Sequence, residues 1–418
     1  MNVLERAKPY NIPKQEVWEA YKQVKANRGA AGVDAQSIAD FEENLAKNLY
    51  KIWNRMSSGS YFPPPVRGVE IPKANGGTRL LGIPTVADRI AQMVVKRFFE
   101  PILEPHFHAD SYGYRPGKSA KDALGVARQR CWRYDWVVDL DIRAFFDTID
   151  HKLLMRAVRK HTTCAWAVLY IERWLKAPMQ RNNGDIIERE RGTPQGGVIS
   201  PLLANLFLHY AFDVWMKREH RDIPFERYAD DAICHCRTEK QALELQAKLT
   251  QRFSECSLEL HPEKTKIVYC ADSNRREKHP RTQFDFLGYG FRPRCVKSAQ
   301  GNFFVGFSPA ISRSAAREIR KTIRGWQFYR RTDQEIEDIA RWINPMLRGW
   351  LEYFGAFQHS VLYVAVMDPL EEHIARWAMR KYRWLQGHRR RAREWVSCLL
   401  RERPTLFAHR RFWAGTVG

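Results

Sequence analysis

The feature that most restricts the fold is a pair of adjacent carboxylates, Asp230 and Asp231, inside the apolar run FERYADDAICHC. The run has no helical period, so it predicts two short strands that turn tightly at the acids. Two like charges in a largely apolar hairpin repel each other and are costly to desolvate, so they need a compensating cation. Mg²⁺ suits this position because it binds through one or two carboxylates plus substrate phosphates. An ordinary solvated Asp-Asp turn would present the same residues.

A second acidic segment, WVVDLDIRAFFDTIDH, precedes the first by a domain-scale distance. Its apolar residues predict a buried strand that carries Asp139 and Asp141 and gives way to a helix. A carboxylate at the end of a buried strand is seldom simple surface charge. Two separate acidic strands are what a two-metal phosphoryl-transfer site requires, so Asp141 becomes a candidate metal ligand.

The charge balance predicts a polyanionic partner. The 418 residues include 69 Lys and Arg against 47 Asp and Glu, which gives a net charge of +22. Such an excess favours nucleic acid, and aromatic residues, at 12% of the chain, could stack on unpaired bases. The length predicts two or three domains. Because there is no signal peptide, no apolar run of bilayer length and no zinc-finger spacing among the eight cysteines, we expect a cytoplasmic protein without membrane contact.

Three glycine-containing segments between and before the acids could contact nucleotides. VEIPKANGGTRLLGIP has the pattern of a hairpin with Lys73 and Arg79 beside its turn, where they could grip a triphosphate or simply solubilise the tip. SYGYRPGKSA lacks Walker A spacing and predicts a loop before a helix, with Arg115 and Lys118 available to a nucleic-acid backbone. RGTPQGGVISPLLAN places Gln195 among glycines before a helix, where it could meet a base or sugar edge or belong to a plain helix-entry loop.

The C-terminal half is predicted to be helical and basic. Residues 312–331 combine an apolar stripe with a cationic face that could lie on phosphates or be merely solvated. The cations of that face are Arg313, Arg317, Lys321 and Arg324. Thr332 and Glu335 form a capping-box pattern that predicts the start of a second helix. Further along, cations stand beside tryptophans and favour RNA over a membrane surface. The densest run is Arg389, Arg390 and Arg391.

A resemblance to a known family rests on eight segments in order. They are VEIPKANGGTRLLGIPT, SYGYRPGKSA, DLDIRAFFDTIDH, GTPQGGVISPLLAN, RYADD, LHPEKTKI, FLGYGF and INPMLRGWLEYF. Over nearly its whole length the chain resembles a reverse transcriptase of the bacterial group II intron maturase family. The resemblance implies an α+β right-hand polymerase, with fingers, a palm built on an antiparallel sheet, and a helical thumb that also serves as the maturase domain. Three domains are expected: an N-terminal helical extension (residues 1–62), the fingers and palm (63–305) and the RNA-binding thumb/maturase domain (306–418).

The resemblance also implies roles for single residues in catalysis. Asp141, Asp230 and Asp231 would hold two Mg²⁺ ions, with Mn²⁺ as a substitute. Lys264 would stand near the leaving pyrophosphate as a catalytic residue, with Lys266 as its rival.

Four residues are expected by resemblance to bind the incoming dNTP. Lys73 and Arg79 would contact its triphosphate, Phe146 would lie under its sugar, and Gln195 would lie beside the nascent base pair. The implied partners are dNTPs, an RNA template with a DNA primer, and the group II intron RNA whose splicing and retromobility the protein would assist, while the oligomeric state stays open. Many relatives carry a Cys/His-rich endonuclease module, which this sequence does not continue into, so target-DNA cleavage is not expected.

Two other functions fit the same sequence pattern. One is an RNA-binding splicing factor in which the polymerase activity is dispensable. The other is an intron-free reverse transcriptase used in DNA repair or phage defence.

Overall fold

The computed structural model describes residues 8–72, 77–181, 183–297 and 300–414. The α-helices are α1 Lys14–Asn27, α2 Ile38–Glu43, α3 Leu45–Ser58, α4 Val86–Leu103, α5 Ala120–Cys131, α6 Phe145–Thr148, α7 His151–His161, α8 Ala165–Lys176, α9 Ser200–Leu208, α10 Val214–Glu219, α11 Glu239–Glu255, α12 Arg313–Gly325, α13 Ile336–Phe354, α14 His359–Leu362, α15 Asp368–Lys381, α16 Arg389–Glu402 and α17 Ala408–Ala414. A π-helical turn, His209–Asp213, joins α9 to α10, and a second one, Tyr363–Met367, joins α14 to α15. Among the described helices, none has the length and hydrophobicity needed to cross a bilayer.

The strands form three sheets. They are β1 Val66–Pro72, β2 Thr78–Ile83, β3 Trp136–Leu140, β4 Met179–Gln180, β5 Ile186–Ile187, β6 Phe225–Tyr228, β7 Asp231–Cys236, β8 Lys266–Tyr269, β9 Phe284–Phe286, β10 Tyr289–Lys297 and β11 Phe303–Ile311. The strand orders are β2-β1-β4-β5, β6-β7-β3-β8 and β11-β10-β9. The hairpins β1–β2, β6–β7 and β10–β11 are all antiparallel. The predicted α+β class, with antiparallel sheet pairing and a helical C-terminal region, is confirmed.

The chain divides into two compact units. The first comprises Met1–Ser119, Val138–Cys234 and Glu239–Lys266, and the second comprises Ala120–Val137, His235–Thr238 and Ile267–Gly418. In the first unit, α1 packs against α4, which is buried along most of its length. Helix α9 begins at Ser200 with Pro201 in its first turn, as predicted, because proline needs no hydrogen-bonded N–H there. Helix α9 is buried on almost every side and packs against α4 and α7.

The second unit contains the β10–β11 hairpin and helices α12 to α17. Helix α12 begins after Ser312, whose hydroxyl accepts the Ala315 N–H at 3.0 Å. Its predicted apolar stripe is buried in the helical core and consists of Ala316, Ile319, Ile323 and Trp326. Trp377 is also fully buried there, whereas Trp384 is 60% exposed.

One detail of the second unit differs from the sequence prediction. Helix α13 begins at Ile336, and its capping box is made by Glu335 with Asp338, so the Thr332 capping box is wrong. Glu335 is the cap itself because it lies one residue before the first helical residue. Strand β11 ends at Ile311, and helix α12 begins two residues later.

Candidate active site

Asp230 and Asp231 stand at the turn of a β-hairpin, as the sequence predicts. Tyr228 lies opposite Asp231 as the last pair of β6 and β7, which leaves a two-residue turn. Ala229, the first residue of that turn, has a φ of 56°. This left-handed conformation is unfavourable for a residue with a Cβ atom. The turn therefore depends on the groups that surround it.

A buried arginine provides much of this support. Arg227 on β6 is 1% exposed, and its guanidinium binds Asp213 through Nε–Oδ1 at 2.7 Å and Nη2–Oδ2 at 2.6 Å. Its Nη1 donates to the Asn205 side-chain oxygen and to the Ala229 carbonyl oxygen, both at 3.0 Å. Burial alone would raise the pKa of Asp213, but the guanidinium lowers it below its ordinary value. One buried ion pair thus ties the acidic turn to the helical segment behind it.

The segment SYGYRP borders the same turn. A Cβ atom on Gly113 would collide with the Ala229 backbone nitrogen, so this close approach requires glycine. The Gly113 carbonyl oxygen accepts Asn205 Nδ2 at 2.6 Å. The next residue, Tyr114, is 53% exposed, and partial burial together with the Asp230 carboxylate raises the pKa of its hydroxyl. Tyr114 therefore belongs to the site, although the sequence pattern does not single it out.

Asp141 follows directly after β3, one residue beyond the strand predicted to carry it. Its backbone carbonyl oxygen accepts the His261 N–H at 2.8 Å, and the Thr265 hydroxyl donates to the same oxygen at 3.4 Å. This segment brings Lys264 Nζ to 3.5 Å from the Asp141 carboxylate. Lys266, the first residue of β8, makes no ion pair with a described acid. Of the two candidate lysines, Lys264 is therefore the one in contact with the acidic site.

The three carboxylates influence one another. Partial burial raises the pKa of Asp230, and the Asp141 carboxylate adds to this effect while Arg79 opposes it. Burial of the carboxyl group raises the pKa of Asp231 to about 6. The Asp230 and Asp141 carboxylates add to this effect, and Lys264 opposes it. Asp231 is exposed as a residue, so water screens part of the burial effect, but the repulsion between the acids remains. A bound cation would relieve that repulsion.

The donor atoms fit a hard divalent cation. Mg²⁺ prefers oxygen ligands and commonly keeps several waters, so one or two carboxylates with substrate phosphates are enough to hold it. Within the ranges that the structure describes, no group of three or more His, Cys, Asp or Glu side chains is arranged to hold an ion by itself. An ion held by these acids would take water and substrate oxygens as its remaining ligands.

A second polar cluster forms around Gln195. Arg79 on β2 donates through Nε to the Gln195 side-chain oxygen. Gln195 Nε2 lies 3.5 Å from each carboxylate oxygen of Asp147, a residue that the sequence prediction missed although it lies in the second acidic segment. Because Arg79 also lowers the pKa of Asp230, this cluster lies near the acidic turn. Lys73, the predicted companion of Arg79, lies outside the described residues.

The loop that carries Gln195 is fixed from two sides. A Cβ atom on Gly196, which has a φ of 116°, would meet the Gly82 carbonyl oxygen at 2.5 Å, so the loop backbone runs directly against β2. On the other side, the Gln92 side-chain oxygen accepts the Val198 N–H at 2.8 Å, and Gln92 Nε2 donates to Asp88 at 2.9 Å. A helix and a strand therefore hold the loop in place.

Asp88 fixes the orientation of Gln92. It is 1% exposed and also accepts the Tyr61 hydroxyl at 2.9 Å and Trp174 Nε1 at 2.7 Å. Burial raises the pKa of Asp88 to about 6, and the three donors offset only part of this effect. Gln92 thus has its amide nitrogen directed to a carboxylate and its oxygen directed to the loop.

Phe146 lies on α6, five residues after Asp141. It is half-buried, and its ring meets Phe145 edge-on with 5.3 Å between the centroids. The Thr193 N–H donates to the Phe146 carbonyl oxygen at 2.8 Å, which links α6 to the Gln195 loop. The structure therefore brings Phe146 and Gln195, two predicted nucleotide-binding residues, to neighbouring backbone segments.

Arg115 differs from the sequence expectation. Its side chain is only 6% exposed and pairs with Glu104, with Nη2–Oε1 at 2.7 Å. Its Nη1 donates to the carbonyl oxygens of His108 and Ser111, both at 2.6 Å. The guanidinium is committed to holding its own loop, so it is not free to contact a nucleic-acid backbone. Lys118, whose one hydrogen bond to the backbone is exposed, remains a candidate.

The other predicted RNA contacts lie in the second unit. The cationic face of α12 is exposed along its length and presents Arg313, Arg317, Lys321 and Arg324. On α16, Arg389 pairs with Glu372 at 2.8 Å and Arg390 pairs with Glu394 at 3.0 Å. Arg391 is exposed and pairs with no described acid. Surface pairs contribute little energy, so phosphates could displace them.

Comparison with known proteins gives two matches to protein families. Residues 71–291 match the family described as reverse transcriptase (RNA-dependent DNA polymerase), and residues 316–395 match the group II intron, maturase-specific domain. The chain is 37% identical to protein YkfC of Escherichia coli K12 over 48% of this chain and 54% of that protein. It is 36% identical to the group II intron-encoded protein LtrA of Lactococcus lactis over 46% of this chain and 32% of LtrA.

A more distant relative is a protein of Arabidopsis thaliana named nuclear intron maturase 4, mitochondrial. It is 23% identical over 44% of this chain and 23% of its own length. The matched region thus spans about half of YkfC and smaller shares of the two intron proteins.

Proposed function

Because the chain belongs to the reverse transcriptase family and contains a group II intron maturase-specific domain, we propose that it is an RNA-directed DNA polymerase that also binds intron RNA. The observation that carries the polymerase proposal is the acidic cluster. Asp141 follows one strand and Asp230 and Asp231 stand at the turn of another pair, yet Asp141 raises the pKa of both other acids. Such a cluster suits the transfer of a nucleotidyl group to a primer 3′-hydroxyl.

The three acids would hold two divalent ions, Mg²⁺ in the first place and Mn²⁺ as a substitute. When bound, such ions lower the pKa of the attacking hydroxyl and neutralise charge on the reacting phosphate. Lys264, whose ammonium lies 3.5 Å from the Asp141 carboxylate, would give a proton to the departing pyrophosphate. Lys264 is preferred to Lys266 for this role because of that contact.

The Arg79–Gln195–Asp147 cluster would orient the incoming dNTP. Arg79 would exchange its contact with Gln195 for triphosphate oxygens, with which a guanidinium forms stronger, charge-assisted hydrogen bonds. Gln195 would then be free to lie beside the nascent base pair. The Phe146 ring would fill the space that a ribose 2′-hydroxyl needs, which would favour dNTPs over ribonucleotides. We include Lys73 in the triphosphate site on the strength of the sequence alone.

A second function, assistance to intron splicing, is favoured by the maturase-specific match and by the exposed cationic face of α12. We propose residues 1–62 as a helical extension, 63–305 as fingers and palm and 306–418 as thumb and maturase domain. Intron RNA would lie on α12 and α16, and Lys118 is proposed separately as a backbone contact of the first unit. In this arrangement the splicing role needs binding only, whereas DNA synthesis needs the acids.

Primer extension on an RNA template with dNTPs, with and without the encoding intron RNA, tests the proposal. We expect template-directed DNA synthesis by the parent protein. Absence of synthesis under both conditions, in a protein that binds the intron RNA and promotes its splicing, would refute the polymerase proposal and leave the maturase function.

A further inference from the structure

The outer part of the β10–β11 hairpin exposes aromatic side chains. We define the distal ribbon as residues 294–297 of β10 and 303–306 of β11. Phe303 is 73% exposed, Phe304 46% and Val305 40%, whereas Phe307, just below the ribbon, is fully buried. Phe303 and Val305 share one face of the strand and Phe304 lies on the other, and exposed apolar side chains of this size are characteristic of interaction sites.

The register of the hairpin places one phenyl ring on each face of the ribbon. Phe303 pairs with Lys297 and Phe304 pairs with Val296. Successive residues of a strand point to opposite faces, so neither ring can shield the other. Lys297 Nζ lies 5.9 Å from the Phe303 ring centroid, which brings a cation beside an exposed ring.

The ribbon lies in a long stretch without acids. Residues 286–317 contain no Asp or Glu, whereas they contain five cations, namely Arg292, Arg294, Lys297, Arg313 and Arg317. Burial and the nearby Arg292 and Arg313 guanidiniums lower the pKa of Arg294 to about 10. The Asp285 carboxylate lies beside Gly290, at the inner end of the hairpin, whereas both charged residues of the ribbon itself, Arg294 and Lys297, are cations. This leaves the ribbon with a positive local potential that a polyanion would relieve. It disfavours a second copy of this chain as partner, because two identical cationic ribbons would repel each other.

We propose that the distal ribbon binds single-stranded nucleic acid, with unpaired bases stacked on Phe303 and Phe304 and phosphates facing Lys297, whereas Arg294 donates to the carbonyl oxygens of Ser308 and Gly290 within the hairpin. Base stacking on aromatic side chains tolerates any sequence because every base has a π-face, and flanking cations supply the backbone contacts. A phenyl ring cannot distinguish ribose from deoxyribose, so the ribbon is expected to accept RNA and DNA single strands. The inference extends the proposed nucleic-acid binding to a site outside the acidic cluster and requires no catalysis.

The test measures binding of a fluorescent single-stranded oligonucleotide, as RNA and as DNA, to the full chain without dNTPs or divalent ions. Phe303→Ala and Phe304→Ala should each weaken binding at least about fivefold. Phe303→Leu should lose as much affinity as the alanine variant, while Phe303→Trp should retain it, because stacking needs a ring and not simply apolar area. Phe62→Ala is the matched control and should keep parental affinity. Phe62 is 69% exposed like the ribbon residues, but the Arg173 guanidinium lies 3.8 Å from its ring centroid and already covers that ring face.

Charge and catalysis give independent readouts. Lys297→Gln should flatten the slope of log affinity against log salt concentration by about 0.7. Unchanged affinity in both alanine variants, with circular dichroism like that of the parent, would overturn the proposal. So would loss of self-association in these variants without loss of nucleic-acid affinity, which would make the ribbon a protein interface. If the parent fails in primer extension but the ribbon variants lose binding, the polymerase proposal falls and this one stands.

Discussion

Replacement of Arg227 by methionine should destabilise the protein and disturb the acidic turn at once. Methionine has a long apolar side chain that can occupy much of the space of arginine, but it donates no hydrogen bonds. The substitution therefore removes both bonds to Asp213, the bond to Asn205 and the bond to the Ala229 carbonyl oxygen. It leaves the Asp213 carboxylate, 0% exposed, without the guanidinium, and with His209 Nδ1, 3.8 Å from Oδ2, as a remaining ionisable neighbour.

The expected magnitude follows from the burial of this pair. Removal of one partner from a buried ion pair costs about 3–5 kcal/mol because the remaining charge is left unpaired. Folded proteins have about 5–15 kcal/mol of stability, so Arg227→Met should still fold at low temperature. The turn also loses a bond at Ala229, which is held in a left-handed conformation. Displacement of the acids by about 1 Å could lower activity roughly a hundredfold.

Urea denaturation and primer extension measure the two effects. The control is Arg218→Met, because Arg218 is 70% exposed and should lose under about 1 kcal/mol. In Arg227→Met/Asp213→Leu, which removes both charges, most of the stability should return while the activity stays low, since the Ala229 contact is still missing. A loss of stability for Arg227→Met no greater than for the control would refute the assigned role of the pair. Full activity in the folded double variant would refute the role of Arg227 in the turn.

The remaining predictions concern catalysis, RNA binding and pH. Phe146→Ala should raise the ratio of kcat/KM for ribonucleotides to that for dNTPs by about tenfold or more, because the ring no longer excludes the 2′-hydroxyl. An unchanged ratio in an active variant would show that Phe146 does not line the nucleotide site. Asp230→Asn should lower nucleotide addition by at least about a hundredfold while RNA affinity and splicing remain near parental, and parallel loss of synthesis and RNA affinity would contradict the separation of the two functions. Arg391→Glu should weaken RNA binding and flatten its salt slope by about 0.7, whereas parental affinity and slope would exclude this part of α16 from the interface. Because the pKa of Asp88 is about 6 in the folded state and about 3.9 in the unfolded state, its contribution to stability is complete below pH 4 and is lost as the pH rises through 6. The difference in unfolding free energy between the parent and Asp88→Asn should therefore shift by about 2 kcal/mol between pH 4 and 7. A constant difference would mean that Asp88 does not titrate in this range.

The sequence predicts those parts of the site that depend on local pattern. The acids in FERYADDAICHC could be assigned to a hairpin turn because short apolar runs without a helical period flank them and predict a strand on each side. The cationic and apolar faces of α12 could be predicted because a helix repeats every 3.6 residues.

Contacts between distant segments escape this reasoning. Arg227 and its partner Asp213 each lie in an apolar segment, and a charged residue in such a segment indicates a buried ion pair. The local sequence, however, does not show that these two residues are partners. Arg115 fails as a prediction for a related reason, because its partner Glu104 is eleven residues away and buries it. A charged residue in a loop is normally exposed, so only the fold reveals that this one is not.

The π-helical turn between α9 and α10 links the length of a helix to the geometry of the acids. In a regular α-helix each residue advances by 100° around the axis, whereas a π-turn accommodates one extra residue in the same rise. Loss of a single residue from His209–Asp213 would let the segment relax to an α-helix and rotate Asp213 away from Arg227. Insertions and deletions are tolerated at loop tips, but this buried segment cannot change its residue count without uncoupling the acidic turn from its support. The extra residue of the π-turn thus determines the direction in which Asp213 leaves the helix, and with it the contact between this helix and the β6–β7 hairpin.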